Sequence, residues 1–210
     1  MNLTIIGASG GVGKQAVIQA LAQGHRVTAF SRHPEALGIQ HANLTLAAGD
    51  ARQPGALTQA VQGADAVLFT LGAPARSQDQ PRTEATRHLL AAMQAADVDR
   101  LICLSSLGFG DSRPLLPWFI QYLIVPLFLK HAFADHESQE ALIKASPLNY
   151  TIVRPGSLKD GETTGAYQHG FPFDRYGVRI RPISRADVAE FMLRQLQDSS
   201  YQRQTVGISM

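Results

Sequence analysis

The stretch LTIIGASGGVG, residues 3–13, decides the fold of this chain. Its first four residues form an apolar run that predicts a short buried strand, and a helical pattern begins at Lys14. The glycine-rich turn between them lets the backbone approach a pyrophosphate closely. The helix that follows offers unpaired N–H groups and the positive end of its dipole. We therefore interpret residues 7–13 as a phosphate-binding turn.

The glycines of this turn stand at positions 7, 10 and 13, with an additional glycine at position 11. The spacing is G-x-x-G-x-x-G and differs from the G-x-G-x-x-G fingerprint of dinucleotide-binding proteins. Glycine-rich turns are common, so the spacing alone is weak evidence. It gains weight because this is the first strand-to-helix turn of a chain that continues to alternate strands and helices.

Strands and helices alternate from this turn to the strand predicted at 100–104, and again after residue 131. This alternation predicts a single-domain α/β fold over residues 1–210, a Rossmann-type doubly wound parallel sheet flanked by helices, with a small C-terminal substrate-side region at about 155–185. Ser184, with Asp187 three residues later, predicts the N-cap of the last helix in an Asp variant of the capping box. Further strands are predicted at 26–31, 44–48, 65–70, 100–104, 148–153 and 205–208, and helices at 14–23, 54–62, 81–96, 132–145 and 184–197.

Polar or glycine residues follow five of the predicted strands. In a doubly wound sheet the ligand crevice lies beyond the carboxyl ends of the strands, so these features are expected to meet there. Their convergence is stronger evidence for a ligand site than any one of them. They are the glycine turn, Arg32, Asp50, Leu71-Gly72 and Ser105-Ser106.

Composition narrows the function class. The chain has 210 residues, 45% of them hydrophobic and 17% charged, and a net charge of +2 that is dispersed along the sequence. This pattern argues against a nucleic-acid-binding tract or a polybasic membrane anchor. The lone Cys103 lies in an apolar run and fits a reducing compartment. We see no secretory signal after Met1 and expect a cytoplasmic protein.

Two segments interrupt the alternation. Residues 115–129 are strongly apolar but too short, and too interrupted by Pro126, to span a membrane. A buried helical excursion or dimer contact, a flexible apolar wall over the substrate pocket, and an interfacial membrane contact are all open. Residues 158–177 predict a mobile, glycine-rich substrate-side loop, and residues 179–183 a short extended segment.

Several motifs together resemble a known family. The chain is similar to the atypical, NmrA-like short-chain dehydrogenase/reductases, and within them to NAD(P)H-binding proteins of the biliverdin reductase B (flavin reductase) type. The resemblance runs from residue 2 to about residue 208. It is carried by the glycine turn, Arg32, Asp50, Ser105-Ser106, the sequence TIVRPG at 151–156 and the sequence ISRADVA at 183–189.

The resemblance implies NADPH as the cofactor, because Arg32 would hold the adenosine 2′-phosphate. A cation at this position, where an NAD site offers a carboxylate, supports that interpretation, although Arg32 can also be an ordinary solvated charge. Asp50 can alternatively cap the segment after it. The implied contacts are Gly7, Ser9, Gly10, Gly11, Val12 and Gly13 at the pyrophosphate, Asp50 and Ala51 at the adenine, Leu71, Gly72 and Ala73 along the middle, and Ser105, Pro155 and Ser157 at the nicotinamide.

The chain departs from the family in its catalytic residues. Most short-chain dehydrogenases carry Tyr-x-x-x-Lys, which is absent here, so conventional alcohol dehydrogenation is not expected. The candidate catalytic residues are Ser106, which can bind the acceptor, and His136, which can donate or relay a proton. Alternatively, the Ser106 hydroxyl is satisfied locally and His136 pairs with Glu140. The biliverdin reductase B type also has a histidine where this chain has Ser157.

Two functions from different classes remain. The first is an NADPH-dependent reductase that transfers hydride to a conjugated or aromatic small-molecule acceptor, such as a flavin or a linear tetrapyrrole. The second is a non-catalytic NADP(H)-binding redox sensor or regulator. The histidines and carboxylates lack a metal-ligand spacing such as His-Glu-x-x-His, so we expect no metal site. We expect a monomer or homodimer without a nucleic-acid partner or a transmembrane segment.

Overall fold

The computed structural model describes residues 1–74, 77–170 and 180–210. Its main sheet has the strand order β3-β2-β1-β4-β5-β6-β10-β8, in which the β10–β8 pairing is antiparallel and the others are parallel. A small parallel pair, β7-β9, lies apart. The strands are β1 (Asn2–Ile6), β2 (Arg26–Ser31), β3 (Leu44–Ala48), β4 (Ala66–Phe69), β5 (Arg100–Leu104), β6 (Asn149–Pro155), β7 (Leu158–Lys159), β8 (Gln168–Gly170), β9 (Ile183–Ser184) and β10 (Gln204–Ser209).

Helices cover both faces of the sheet. One core packs α1 and α5 against residues such as Leu3, Ile5 and Leu68, and the other packs α2, α3 and α4 against residues such as Val67 and Phe69. The strands alternate side chains between the two faces, so each apolar strand supplies both cores. The helices are α1 (Gly11–Ala22), α2 (Thr58–Val61), α3 (Pro81–Ala95), α4 (Lys130–Ala145) and α5 (Arg185–Arg194), with 3₁₀ turns at Pro34–Leu37 and Gly110–Leu115 and a π-helix at Ile120–Leu129.

The architecture confirms the predicted doubly wound single-domain fold. The strand order reverses direction between β1 and β4, which is the switch point where such sheets bind ligands. In the register of the sheet, Ile6 lies beside Phe30 of β2 and Phe69 of β4. The turns that follow these three strands therefore meet at one edge.

Some predicted boundaries move. The first helix begins at Gly11 rather than Lys14, so the last glycines of the turn form its first turn. The helix predicted at 54–62 shortens to α2. The predicted loop at 158–177 contains β7 and β8, and its part after residue 170 lies outside the described residues, as does Arg179 of the predicted extended segment. The substrate-side region at 155–185 stays a prediction.

Of the alternatives left open for the apolar stretch, the buried helical excursion is wrong. The π-helix of this stretch continues directly into α4, and Trp118 and Leu127 are each 71% exposed. Tyr122, Leu123 and Phe128 are exposed as well. We call residues 118–128 the apolar ledge. Among the described residues, no helix combines the length and apolar character needed to cross a bilayer.

Candidate functional site

The glycine turn is closed by its own backbone. The N–H groups of Gly7 and Ala8 donate to the Phe30 carbonyl at 2.9 and 3.2 Å, and Gly10 N donates to Gly7 O at 2.9 Å. Gly7 has φ = +81°, a conformation that glycine adopts without steric cost. A Cβ atom on Gly13 would clash with Gly7 O and would lie 2.7 Å from Thr70 Oγ1. Glycine is therefore required at positions 7 and 13, because the turn packs closely against the start of the helix.

The N-terminus of α1 opens onto this turn. Gly10 is the N-cap and has no side chain to cap the helix. The first-turn N–H groups of a helix have no intrahelical partners, and the dipole makes this end positive. Ser9, Gly10 and Gly11 are exposed, whereas Val12 and Gly13 are buried. Any contact from Val12 to a ligand must therefore come from its main chain.

A cleft of about 180 Å³ joins this turn to the ends of the neighbouring strands. It brings together most of the residues predicted at the adenosine half and the middle of the cofactor. Exposed Arg32 lies at its rim. The predicted residues that line it are Gly7, Ser9, Gly10, Arg32, Asp50, Ala51, Leu71 and Gly72.

Asp50 is held by Arg52, a residue that the sequence prediction missed. Arg52 N donates to Asp50 Oδ1 at 3.0 Å and its Nη2 donates to Oδ2 at 2.7 Å. The Asp50 side chain therefore does cap the segment after it. The hydrogen bonds from Arg52, with a smaller contribution from the charge of Arg32, lower the pKa of Asp50 to about 2. A cation two residues after Asp50 is the sequence signal for this pair.

At the end of β5, Ser105 rather than Ser106 joins the polar network. Ser105 Oγ donates to Glu140 Oε1 at 2.7 Å and lies 3.5 Å from His136 Nδ1. Ser106 Oγ instead donates to the neighbouring Leu107 carbonyl at 3.0 Å. The structure thus does not bring the two predicted catalytic side chains, Ser106 and His136, into a mutual hydrogen bond.

Glu140 forms a buried ion pair with Arg154. Arg154 Nε and Nη2 donate to the two carboxylate oxygens at 2.7 and 2.6 Å, and Lys144 Nζ donates at 2.9 Å. Burial raises the pKa of Glu140, but the hydrogen bonds and charge of Arg154 outweigh burial, so the pKa is lowered. Arg154 also binds Asp111 and stacks 4.6 Å above the Phe109 ring. The carboxylate is therefore ionised and fixed.

His136 is a neutral imidazole at physiological pH. Burial, and next the charge of Arg82, lower the pKa of His136 to about 4. Its ring stacks on Phe109 with centroids 5.9 Å apart. The ionised Glu140 can only accept hydrogen bonds, so the Ser105 hydroxyl donates its hydrogen bond to Glu140 and can accept one from His136 Nδ1–H. With this pKa, His136 is not protonated near neutral pH and does not act there as the proton donor that the sequence suggested.

The remaining predicted residues lie on the same edge of the sheet. Pro155 is buried at the end of β6, and its carbonyl accepts from Leu107 N at 2.9 Å. Exposed Ser157 accepts from Ile183 N through its carbonyl at 2.9 Å. The Ala73 carbonyl accepts from Arg82 Nη2 at 3.3 Å. In the described part of the chain, no three His, Cys, Asp or Glu side chains converge as a metal site would require.

The parallel sheet, the glycine turn and the cleft at its switch point define a dinucleotide-binding protein of the Rossmann class. A family model described as NAD(P)H-binding matches residues 7–199, and the chain belongs to that family. This confirms the predicted resemblance to atypical, NmrA-like short-chain reductases and the predicted nicotinamide dinucleotide cofactor. The cleft and α1 fit such a group because they combine a positive helix end, close backbone access and a cation at the rim.

Individual relatives cover the whole chain. The uncharacterized protein YwnB of Bacillus subtilis is 28% identical over 97% of this chain and 96% of its own. The photosystem II assembly factor Ycf39 of Synechocystis is 26% identical over 99% of this chain and 62% of its own. The solved structure of ChuY, described as an anaerobillin reductase from Escherichia coli O157:H7, has a TM-score of 0.79 and 26% identity, covering 100% and 97% of the two chains. The chain thus falls among NAD(P)H-binding oxidoreductases.

Proposed function

We propose that this protein is an NADPH-dependent reductase that transfers hydride to a flat, conjugated acceptor such as a flavin or a linear tetrapyrrole. The observation that carries the proposal is the pair of residue groups that lie along the edge of the sheet where the parallel strands end. One end has the glycine turn and Arg32, and the other has the neutral His136 beside Ser105 and Glu140.

Arg32 supports NADPH over NADH. Its side chain follows β2 at the rim of the cleft, where the adenosine ribose of a dinucleotide would lie. A guanidinium can bind a phosphate through two parallel hydrogen bonds. Arg52 adds a second positive charge beside Asp50, although its ion pair partly neutralises that charge.

The acceptor end supports an unsaturated substrate. His136 is neutral and the Ser105 hydroxyl donates to Glu140. The sequence also has no Tyr-x-x-x-Lys pair, which protonates an alkoxide in standard members. A conjugated acceptor delocalises the negative charge that comes with the hydride, so a weaker acid is sufficient to protonate it. The apolar ledge, which continues into the helix that carries His136, offers aromatic and aliphatic surface for a flat molecule. The similarity to ChuY, an anaerobillin reductase, favours the tetrapyrrole class.

When bound, reduced nicotinamide supplies the hydride. The acceptor would gain that hydride and one proton. In this proposal the protein positions the acceptor with Ser106 and the neutral His136 and excludes water with Phe109, while the proton comes from solvent. Arg154 and Glu140 hold Ser105 and α4 in place around the reaction.

The apolar ledge also favours a second candidate, a non-catalytic NADP(H) sensor. Exposed apolar patches of this kind mark interaction sites, and a ledge that continues into the helix carrying His136 can report the state of the site to a partner. The assembly-factor relative Ycf39 shows that a protein similar to this one is named for a role other than turnover.

The decisive experiment measures NADPH oxidation by the purified protein with free flavin, a linear tetrapyrrole and a simple aldehyde. The reductase predicts turnover with the conjugated acceptors and little with the aldehyde. NADPH binding without turnover on the whole panel would favour the sensor. Failure to bind either dinucleotide contradicts both candidates.

A further inference from the structure

Arg185, the first residue of α5, lies across the glycine turn. A Cβ atom built on Gly11 would come within 2.5 Å of Arg185 Cδ and 2.6 Å of its Nε. Gly11 is the additional glycine that the spacing of 7, 10 and 13 does not require. Its missing side chain leaves room for the arginine. Gln19 of α1 donates to the Ala186 carbonyl at 2.9 Å and thereby holds the start of α5 against α1.

The position of Arg185 is electrostatically unfavourable for a cation. The residue begins α5 and covers the first residue of α1, and the N-terminal end of a helix repels positive charge. Arg185 Nη1 pairs with Asp160 Oδ1 at 2.7 Å, but the Asp160 side chain is 96% exposed. Such exposed pairs contribute little to stability.

The acidic residue in the first turn of α5 is committed elsewhere. Asp187 accepts from Ser184 Oγ at 2.7 Å and from the Thr164 and Gly165 N–H groups at 2.6 and 3.0 Å. A guanidinium held at two helix N-termini, with one solvent-exposed carboxylate as its ion-pair partner, is well placed to bind a further anion. The glycine turn beneath it is the predicted site of a diphosphate.

We propose that Arg185 binds the diphosphate of the nicotinamide dinucleotide and exchanges Asp160 for that anion when the cofactor binds. The N–H groups of the first turn of α1 would contact the diphosphate from below, and the guanidinium would close over it. The inference rests on the proposed NADPH site. It adds a residue from the far end of the sequence and gives the extra Gly11 a role.

The test separates Arg185 from Arg32 by the phosphate that each contacts. Dissociation constants for NADPH and NADH are measured from the fluorescence of the reduced nicotinamide. Arg185→Gln should weaken both dinucleotides by about tenfold, the loss expected when a charge-assisted hydrogen bond is removed. Arg32→Ala should weaken NADPH alone. Adenosine 2′-monophosphate, which lacks a diphosphate, should compete equally well against wild type and Arg185→Gln after correction for NADPH affinity.

Asp160→Asn is the matched control and is independent of how well the glutamine variant folds. Removing the competing carboxylate should leave NADPH affinity unchanged or tighten it a few-fold. Weaker binding in Asp160→Asn would show that the ion pair only anchors the segment, and would overturn the proposal. The proposal would also be overturned if folded Arg185→Gln bound NADPH within twofold of the wild-type affinity. Wild-type protein that binds neither dinucleotide would instead contradict the proposed function.

Discussion

The Ser105 hydroxyl donates to Glu140 Oε1 across 2.7 Å, and this hydrogen bond ties the carboxyl end of β5 to the middle of α4. His136 lies one helical turn before Glu140 on the same helix and faces the same hydroxyl. The arrangement puts a neutral imidazole and an ionised carboxylate at the carboxyl end of β5. Four predictions test this network and the cofactor site.

The buried ion pair should be costly to break from one side. Arg154→Met leaves the Glu140 charge buried without its main partner, and we expect the free energy of unfolding to fall by about 3–5 kcal/mol. Lys144→Met removes a partner of the same carboxylate that is 43% exposed, and should cost less than about 1 kcal/mol. Urea denaturation measures both. Equal losses in the two variants would contradict the assigned geometry.

The lowered pKa of His136 predicts a pH dependence of stability. An unfolded histidine titrates near pH 6.5, whereas the pKa of His136 in the folded protein is about 4. Between these values the unfolded chain binds more protons, so the free energy of unfolding should fall as the pH drops. The slope from this group approaches roughly 1.4 kcal/mol per pH unit.

Urea denaturation between about pH 5 and pH 7 measures that slope above the ordinary range of glutamate titration. His136→Gln should reduce the slope, because one group that takes up a proton on unfolding is gone. The pKa values of His25 and His169 are also lowered, by burial first, so these residues keep part of the slope. His33, whose side chain is 77% exposed, gives the control variant His33→Gln, which should keep the wild-type slope. An identical slope in wild type and His136→Gln would refute the burial-based explanation.

Alanine substitutions at Ser105 and Ser106 should differ in their effects on acceptor turnover. Ser105→Ala removes the hydroxyl between Glu140 and His136, so it should lower acceptor turnover by about tenfold or more while leaving NADPH affinity within about threefold. Ser106→Ala, whose hydroxyl is bound to the adjacent carbonyl, tests the sequence-based catalytic assignment directly. A loss of no more than twofold in Ser106→Ala combined with His136→Ala would remove both from catalysis.

Arg32 should set the preference for NADPH. Arg32→Ala should weaken NADPH by about tenfold or more and leave NADH nearly unchanged, because only NADPH carries the 2′-phosphate. Arg26 begins the same strand at the opposite edge of the sheet and is also exposed, so Arg26→Ala is the matched control. Titration of each variant with NADPH and with NADH gives the ratio of the two dissociation constants. Equal affinities in wild type would contradict the assignment of Arg32.

Much of this fold is predictable from local sequence. Short apolar strands, helical spacing and glycine punctuation act within a few residues, so the alternation and the glycine turn at residues 7–13 predict the doubly wound sheet. The strand-end rule then places Arg32 and Asp50 at one edge before any contact is known. The Ser184 cap with Asp187 follows from the same kind of local pattern and is confirmed by a 2.9 Å hydrogen bond.

Other features depend on residues that only folding brings together. Hydrophobicity predicts burial for the apolar ledge, yet the fold leaves Trp118 and Leu127 exposed, because burial depends on what packs against a segment. The pKa of His136 follows from burial and the Arg82 charge, which spacing along a helix does not reveal.

The stretch at residues 3–13 shows most clearly which features follow from local sequence and which depend on tertiary contacts. Its sequence alone determined a strand, a glycine-rich turn and a helix, because glycine spacing acts through local backbone geometry. Only the tertiary structure placed Arg185 over Gly11 and Ser105 against Glu140. Those contacts join distant segments, and side-chain electrostatics at such contacts is a property of the packed sheet and helices rather than of any single stretch of sequence.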